Sequence, residues 1–231
     1  MTTGRLPKIP ELIRAETELA EVIEILVANL VLMSEIPAPT FGEPRRVEFL
    51  RERLAEFDLQ NISTDEMGNA LGILPGTRGE RNIVVVAHVD TVFGPETDHT
   101  VTITPDHVIG PGVADNSLGA ATVATLPLIL ERLGIRLGAN LILMGSSRSL
   151  GSGDLEGIRF FLDNTDIPVT HGICLEGVKL GRLSYSSLGM VRSEIRFEIP
   201  EEYDWTRFGA GGAIVSMNDI INRVLEIPIP R

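Results

Sequence analysis

Three polar clusters fall where apolar runs end, and in open α/β sheets ligands bind beyond the C-terminal ends of the strands. The first is His88-Val-Asp90-Thr91, directly after the β-branched run 82–87. Side chains two apart in extended chain point to the same side, so Asp90 lies beside His88. A carboxylate next to an imidazole fixes its tautomer and raises its basicity, as a metal-ligating histidine requires. The plainer alternative is a hydrogen-bonded pair that closes a strand. The second cluster is Gly110-Pro-Gly112-Val-Ala-Asp115-Asn116, leading into a helix at Ser117. By itself it reads as a glycine turn with Asp115 or Ser117 capping the helix, and its glycine spacing is not that of a dinucleotide fingerprint. The third is Glu176-Gly177, after the run 171–175. An isolated glutamate there would be solvated, so only the combination is informative.

The elements that must position these clusters are legible from periodicity. Residues 16–36 carry Leu19, Val22, Ile23, Leu26, Leu30 and Met33 at helical spacing. Pro37-Ala-Pro39 ends that helix. Thr40-Phe-Gly-Glu43 has the form of a capping box opening a second helix, to about Phe57. The turn Asp65…Gly68-Asn69 precedes a short strand at 70–74, and 82–87 and 140–144 read as buried strands. A hairpin is expected around 101–104 and 107–109, helices at 117–133 and 155–163, and strands at 171–175 and 192–199. A last helix spans roughly 214–225. This alternation predicts an α/β fold, a mostly parallel sheet with helices on both faces.

Bulk properties narrow the function classes. The 231 residues are 43% hydrophobic and 23% charged, enough for a sizeable core. A net charge of −12 without a basic face argues against nucleic acid. The mostly apolar segment 22–33 contains Glu24 and is too short to span a bilayer, so no membrane partner is expected. The single cysteine, Cys174, excludes an intrachain disulfide and fits a reducing, cytoplasmic setting. Its apolar surroundings predict a buried small side chain.

Taken in order, His88-x-Asp90-Thr91-Val92, Gly112-x-x-Asp115-Asn116, Gly153-Asp154-Leu155-x-Gly157 and Glu176-Gly-x-x-Leu-Gly-Arg182 resemble the motifs of M20 zinc metallopeptidases. The similarity is closest to the aminopeptidase branch that includes tripeptidase-like enzymes, and it runs from about Glu35 to Pro230. It implies a zinc-peptidase-like catalytic domain over 1–188 and a partial α+β lid or dimerisation domain over 189–231. Members of that family hold two zinc ions about 3.5–4 Å apart. Carried over, the resemblance makes His88 and Glu176 ligands of one zinc, Asp115 the bridge between both, and Asp90 the group that orients His88.

The chain departs from the family where catalysis is done. The family's adjacent Glu-Glu pair, general base and second-zinc ligand, falls here at Ser149-Leu150, beside Arg148. The lid histidine aligns with Tyr203, counted from Trp205, and the family's chains run on past residue 231 to supply a further histidine. Loss of a positioned base costs about 10²–10⁴ in rate. Loss of an oxyanion donor costs roughly another 10²–10³. The expectation is therefore a non-catalytic binding or assembly protein with at most one zinc. The alternative is a one-zinc hydrolase of short peptides, or one completed by another subunit. Asp154 is expected to cap a helix rather than replace a lost ligand. A homo-oligomer or a larger protein partner is expected at the lid edge around 192–199.

Overall fold

The β-branched runs form the centre of a five-stranded sheet. The computed structural model describes residues 19–187, 189, 194–198 and 212–228. The chain divides into two compact units, Met1–Arg182 and Leu183–Arg231. In the first, β3 (Asn82–His88) lies parallel between β6 (Asn140–Ser146) and β7 (Val169–Cys174). Beyond β6 come β2 (Ala70–Leu74) and β1 (Gln60–Thr64), each antiparallel to its neighbour. The order β1-β2-β6-β3-β7 leaves only β2 opposed to the other four strands, as the α/β reading expected. A hairpin of β4 (Thr102–Ile103) and β5 (Val108–Ile109) stands apart from it.

Helices cover both faces because both faces of the inner strands are apolar. On one side α1 (Ala20–Ser34), α2 (Pro44–Ala55) and α3 (Leu118–Arg132) contribute Met33, Leu50, Leu54 and Val123 against Val85, Ala87 and Leu143. On the other, Phe161 of α4 (Glu156–Asn164) packs with Val84, Val86, Ile142 and Met144. The segment Val113–Arg132 has the length and apolarity of a membrane span, but half of it is buried inside the unit. Core packing accounts for its hydrophobicity.

Several local expectations are corrected. Thr40 does not open a capping box: the residue before α2 is Glu43, whose carboxylate accepts from the backbone N–H of Phe41 and of Arg148, at 2.9 and 2.8 Å. Cys174 is exposed, not buried, because among the described residues β7 is an edge strand with β3 as its one neighbour. Asp154 does not cap α4; it adopts left-handed backbone and pairs with Arg159 at 2.9 Å. β1 was not anticipated, since Ile62 is its only apolar residue. Of the strand expected at 192–199, residues 194–198 are not in a strand and the rest lie outside the described residues. The second unit contains α5 (Ala213–Leu225), close to the expected helix. Tyr203 and Trp205 also lie outside the described residues.

One buried cation ties the first unit together beneath the sheet's C-terminal end. Arg46 of α2 is fully buried and donates from Nε to Ile36 O (2.7 Å), and from its two terminal nitrogens to Val89 O (3.2 Å) and Ser34 O (3.4 Å). Burial pulls its guanidinium down to about 10 against the opposing pull of the Asp90 carboxylate, so it stays charged at neutral pH. Arg46→Met would strand three carbonyls at once, and urea unfolding should register a loss of about 2–4 kcal/mol. A change within experimental error would show that the arginine is not structural.

Candidate metal centre

Beyond the C-terminal ends of β3 and β7 three segments meet: the end of β3 at His88, a kinked turn over Val113–Ser117 ahead of α3, and the bend after Cys174. Each supplies one side chain. His88 Nε2 lies 3.0 Å from Asp115 Oδ1 and 3.8 Å from Glu176 Oε2. One donor atom from each residue lies within 4.8 Å of the others. The imidazole is buried, and the two carboxylates are about half exposed. The result is a recess with a nitrogen floor and an anionic rim.

The tautomer follows from the other side of the ring. His88 Nδ1 is 3.0 Å from the backbone oxygen of Asp90 and 3.4 Å from Asp90 Oδ1. Both are acceptors, so Nδ1 carries the proton and the neutral ring turns its Nε2 lone pair toward two carboxylates. That arrangement calls for a positive charge at Nε2. Burial opposes a second proton on His88, but the Asp90 hydrogen bond and the charges of Glu176, Asp90 and Asp115 outweigh it, and the pKa is raised. Burial, in turn, raises that of Glu176, against the pull of His88. A proton on Nε2 answers one carboxylate; a divalent cation answers both. One imidazole and two carboxylates suit zinc, manganese or ferrous iron, and three protein donors leave a coordination position open.

Asp90 is fully buried and its Oδ2 accepts three hydrogen bonds: from Thr40 Oγ1 (2.9 Å), Ser149 N (3.0 Å) and Leu150 N (2.8 Å). Oδ1 faces the His88 ring, 3.4 Å from Nδ1. Burial alone would raise this carboxyl's pKa, but the hydrogen bonds from His88, Leu150 and Thr40 lower it overall. The segment expected to lack the family's carboxylates therefore approaches the site with backbone N–H groups. Ser149 is buried, its hydroxyl 3.4 Å from that of Ser146. The neighbouring charges are engaged elsewhere: Arg148 pairs with Glu156 at 3.1 Å, and Asp154 with Arg159. Among the described residues, His88, Asp115 and Glu176 form the one group of three such donors.

Two positioning residues escaped sequence reasoning. Thr40 was read as a helix cap. Asn116 was read as part of a turn and of the second motif, with no role of its own, yet its amide donates to Leu175 O (2.7 Å) and accepts from Gly119 N and Gly177 N (3.1 Å each). A Cβ on Gly119 would collide with the Asn116 amide and the Leu175 carbonyl, so glycine is required for this closure. Asn116 thereby sets the spacing between Asp115 and Glu176. Its position after Asp115 is the only sequence signal for this role.

No protein-family model and no curated protein matches the sequence. Solved structures do match. A tripeptidase from Staphylococcus aureus is 15% identical with a TM-score of 0.54, over 66% of this chain and 43% of that one. The aminopeptidase PepT from Bacillus cereus is 19% identical with a TM-score of 0.53, over 66% and 43%. The dipeptidase Dug1p from Saccharomyces cerevisiae is 15% identical with a TM-score of 0.59, over 71% and 41%. At such identities the likeness is one of fold, and this chain matches about two fifths of the length of each protein.

If the recess is a metal site, His88→Ala should abolish zinc binding measured calorimetrically. Asp90→Asn should weaken it about 10–100-fold, as loss of a ligand-orienting group does. Affinity should fall as pH drops through the raised pKa of His88, earlier than for an ordinary imidazole, because the proton competes for Nε2. Unchanged affinity in both variants would refute the assignment.

Proposed function

We propose that this chain is a degenerate M20-type peptidase domain that holds one zinc ion on His88, Asp115 and Glu176 and binds ligands there without hydrolysing them. The peptidase-type fold and the order of the motifs support the family; the site supports the loss of activity. The carrying observation is Ser149-Leu150, where both backbone N–H groups are spent on Asp90 Oδ2 and neither side chain is titratable. A zinc ion supplies a Lewis acid and lowers the pKa of a bound water.

The chain's residues would do the rest. Asp90 and its own backbone oxygen hold the proton on His88 Nδ1, which keeps Nε2 free for the metal. Asp115 and Glu176 neutralise the ion from the rim. Among the described residues beside them no base is placed to take a proton from water: the Ser149 hydroxyl is a poor base and is turned toward Ser146. Beside Glu176 lies an apolar groove of about 340 Å³, lined by Leu26, Leu118, Thr122, Leu175 and Leu180. It suits an aliphatic group on a ligand whose polar end reaches the metal. In this reading the second unit corresponds to the lid.

A one-zinc peptidase is the second reading, favoured by the half-exposed rim and the open coordination position. A panel of di- and tripeptides separates the two. With one equivalent of zinc the wild-type protein should release amino acids no faster than His88→Ala. Zinc-dependent turnover lost in that variant would overturn the non-catalytic reading while leaving the metal site intact.

A further inference from the structure

Past β6 the main chain is held by side chains. Ser147 N donates to Asn69 Oδ1 (3.0 Å), Arg148 N to Glu43 Oε1 (2.8 Å), and Ser149 N and Leu150 N to Asp90 Oδ2 (3.0 and 2.8 Å). Asn69, Glu43 and Asp90 are all buried. The carbonyls of the same segment are met by the turn that follows: Glu156 N donates to Arg148 O (3.1 Å), Leu155 N to Ser149 O (3.2 Å) and Gly153 N to Leu150 O (2.9 Å). Successive N–H groups converge on one acceptor only where the backbone leaves the extended form. Arg148, with a φ of 52°, is where it does so.

Left-handed backbone is unfavourable for an arginine, so the surrounding structure must impose it. The Glu43 carboxylate is placed to do so. Its Oε1 accepts from Arg148 N and also from Phe41 N (2.9 Å), and Phe41 too is left-handed, with a φ of 73°. One buried oxygen thus fixes two such residues, one on each of two segments. Asp90 Oδ2 joins the same two segments through the neighbouring residues, Thr40 on one and Ser149 and Leu150 on the other.

We infer that Glu43 is a positioning residue for the metal recess. By holding Arg148 in left-handed backbone it aims the Ser149 and Leu150 N–H groups at Asp90, and so sets the carboxylate that orients His88. Without that acceptor Arg148 relaxes toward ordinary backbone, the two N–H groups turn from Asp90, and Oδ2 keeps only the Thr40 hydroxyl. Asp90 then holds the His88 ring less firmly. The consequence for zinc rests on the proposed metal site, whereas the consequence for the backbone rests on the hydrogen bonds alone.

Amide exchange followed by NMR in the zinc-free full chain, with calorimetric zinc binding beside it, tests both. Glu43→Ala should speed exchange at Arg148, Ser149 and Leu150 at least tenfold beyond any change at the β3 and β6 amides, which report global stability. It should weaken zinc binding roughly tenfold, as loss of a ligand-supporting group does. Glu43→Gln keeps the accepting oxygen and should match the wild type in both. Adding Arg148→Gly to Glu43→Ala should return most of the zinc affinity, because glycine takes left-handed backbone without a Cβ penalty. A glutamate that merely stabilised the fold would not be rescued there. If Glu43→Ala does not fold, Glu43→Asp, one methylene shorter, carries the same expectation. Unchanged exchange at 148–150, a Glu43→Gln variant as impaired as Glu43→Ala, no recovery with Arg148→Gly, or faster exchange with full zinc affinity would each overturn the inference. A wild-type chain that binds no zinc would refute the metal site, and the exchange result would still decide the role of Glu43.

Discussion

A carboxylate with no access to water organises the end of this sheet. Asp90 draws in the α1–α2 loop through Thr40 and the segment after β6 through the N–H groups of Ser149 and Leu150. It faces the His88 ring with its remaining oxygen. Burying an anion is costly unless it is hydrogen-bonded and countered. Here three donors satisfy Oδ2, and the buried Arg46 guanidinium exerts a further attraction. The imidazole orientation, and with it the direction of Nε2, follows from how this carboxylate and its own backbone oxygen are held.

In the proposed reading, the same constraint explains how the site keeps its ligands without a catalytic base. The segment 149–150 approaches Asp90 with main chain rather than side chain, so its local geometry does not depend on what its side chains are. A hydroxyl and an isobutyl group can occupy those positions while the strand ends, the histidine and the two rim carboxylates remain assembled. Binding and proton transfer are in this sense separable parts of the fold. Asn116 makes the point from the opposite side, closing α3 onto the bend after β7 and spacing the two rim carboxylates.

The inner architecture was readable from the sequence because β3 and β6 are short, apolar and buried on both faces, a pattern few alternatives share. The three donors were readable from their places at strand ends once their order was taken together. Other features depended on tertiary neighbours that local patterns do not encode. β1 has one apolar residue and exists because β2 offers it a partner. Thr40 matched a capping pattern, but the adjacent buried Asp90 is the stronger acceptor for its hydroxyl. Cys174 lies in an apolar run, yet a run at the edge of a sheet is exposed however apolar it is. Its burial in part, with the nearby Glu176 charge, still pushes the thiol up to about 11.

The account rests on one cation in a three-donor recess with no partner ion beside it. Crystals grown with excess zinc and measured at the zinc absorption edge address this directly. The expected anomalous map has one strong peak bonded to His88 Nε2, Asp115 and Glu176. A second peak bridged to the first through Asp115 would contradict it.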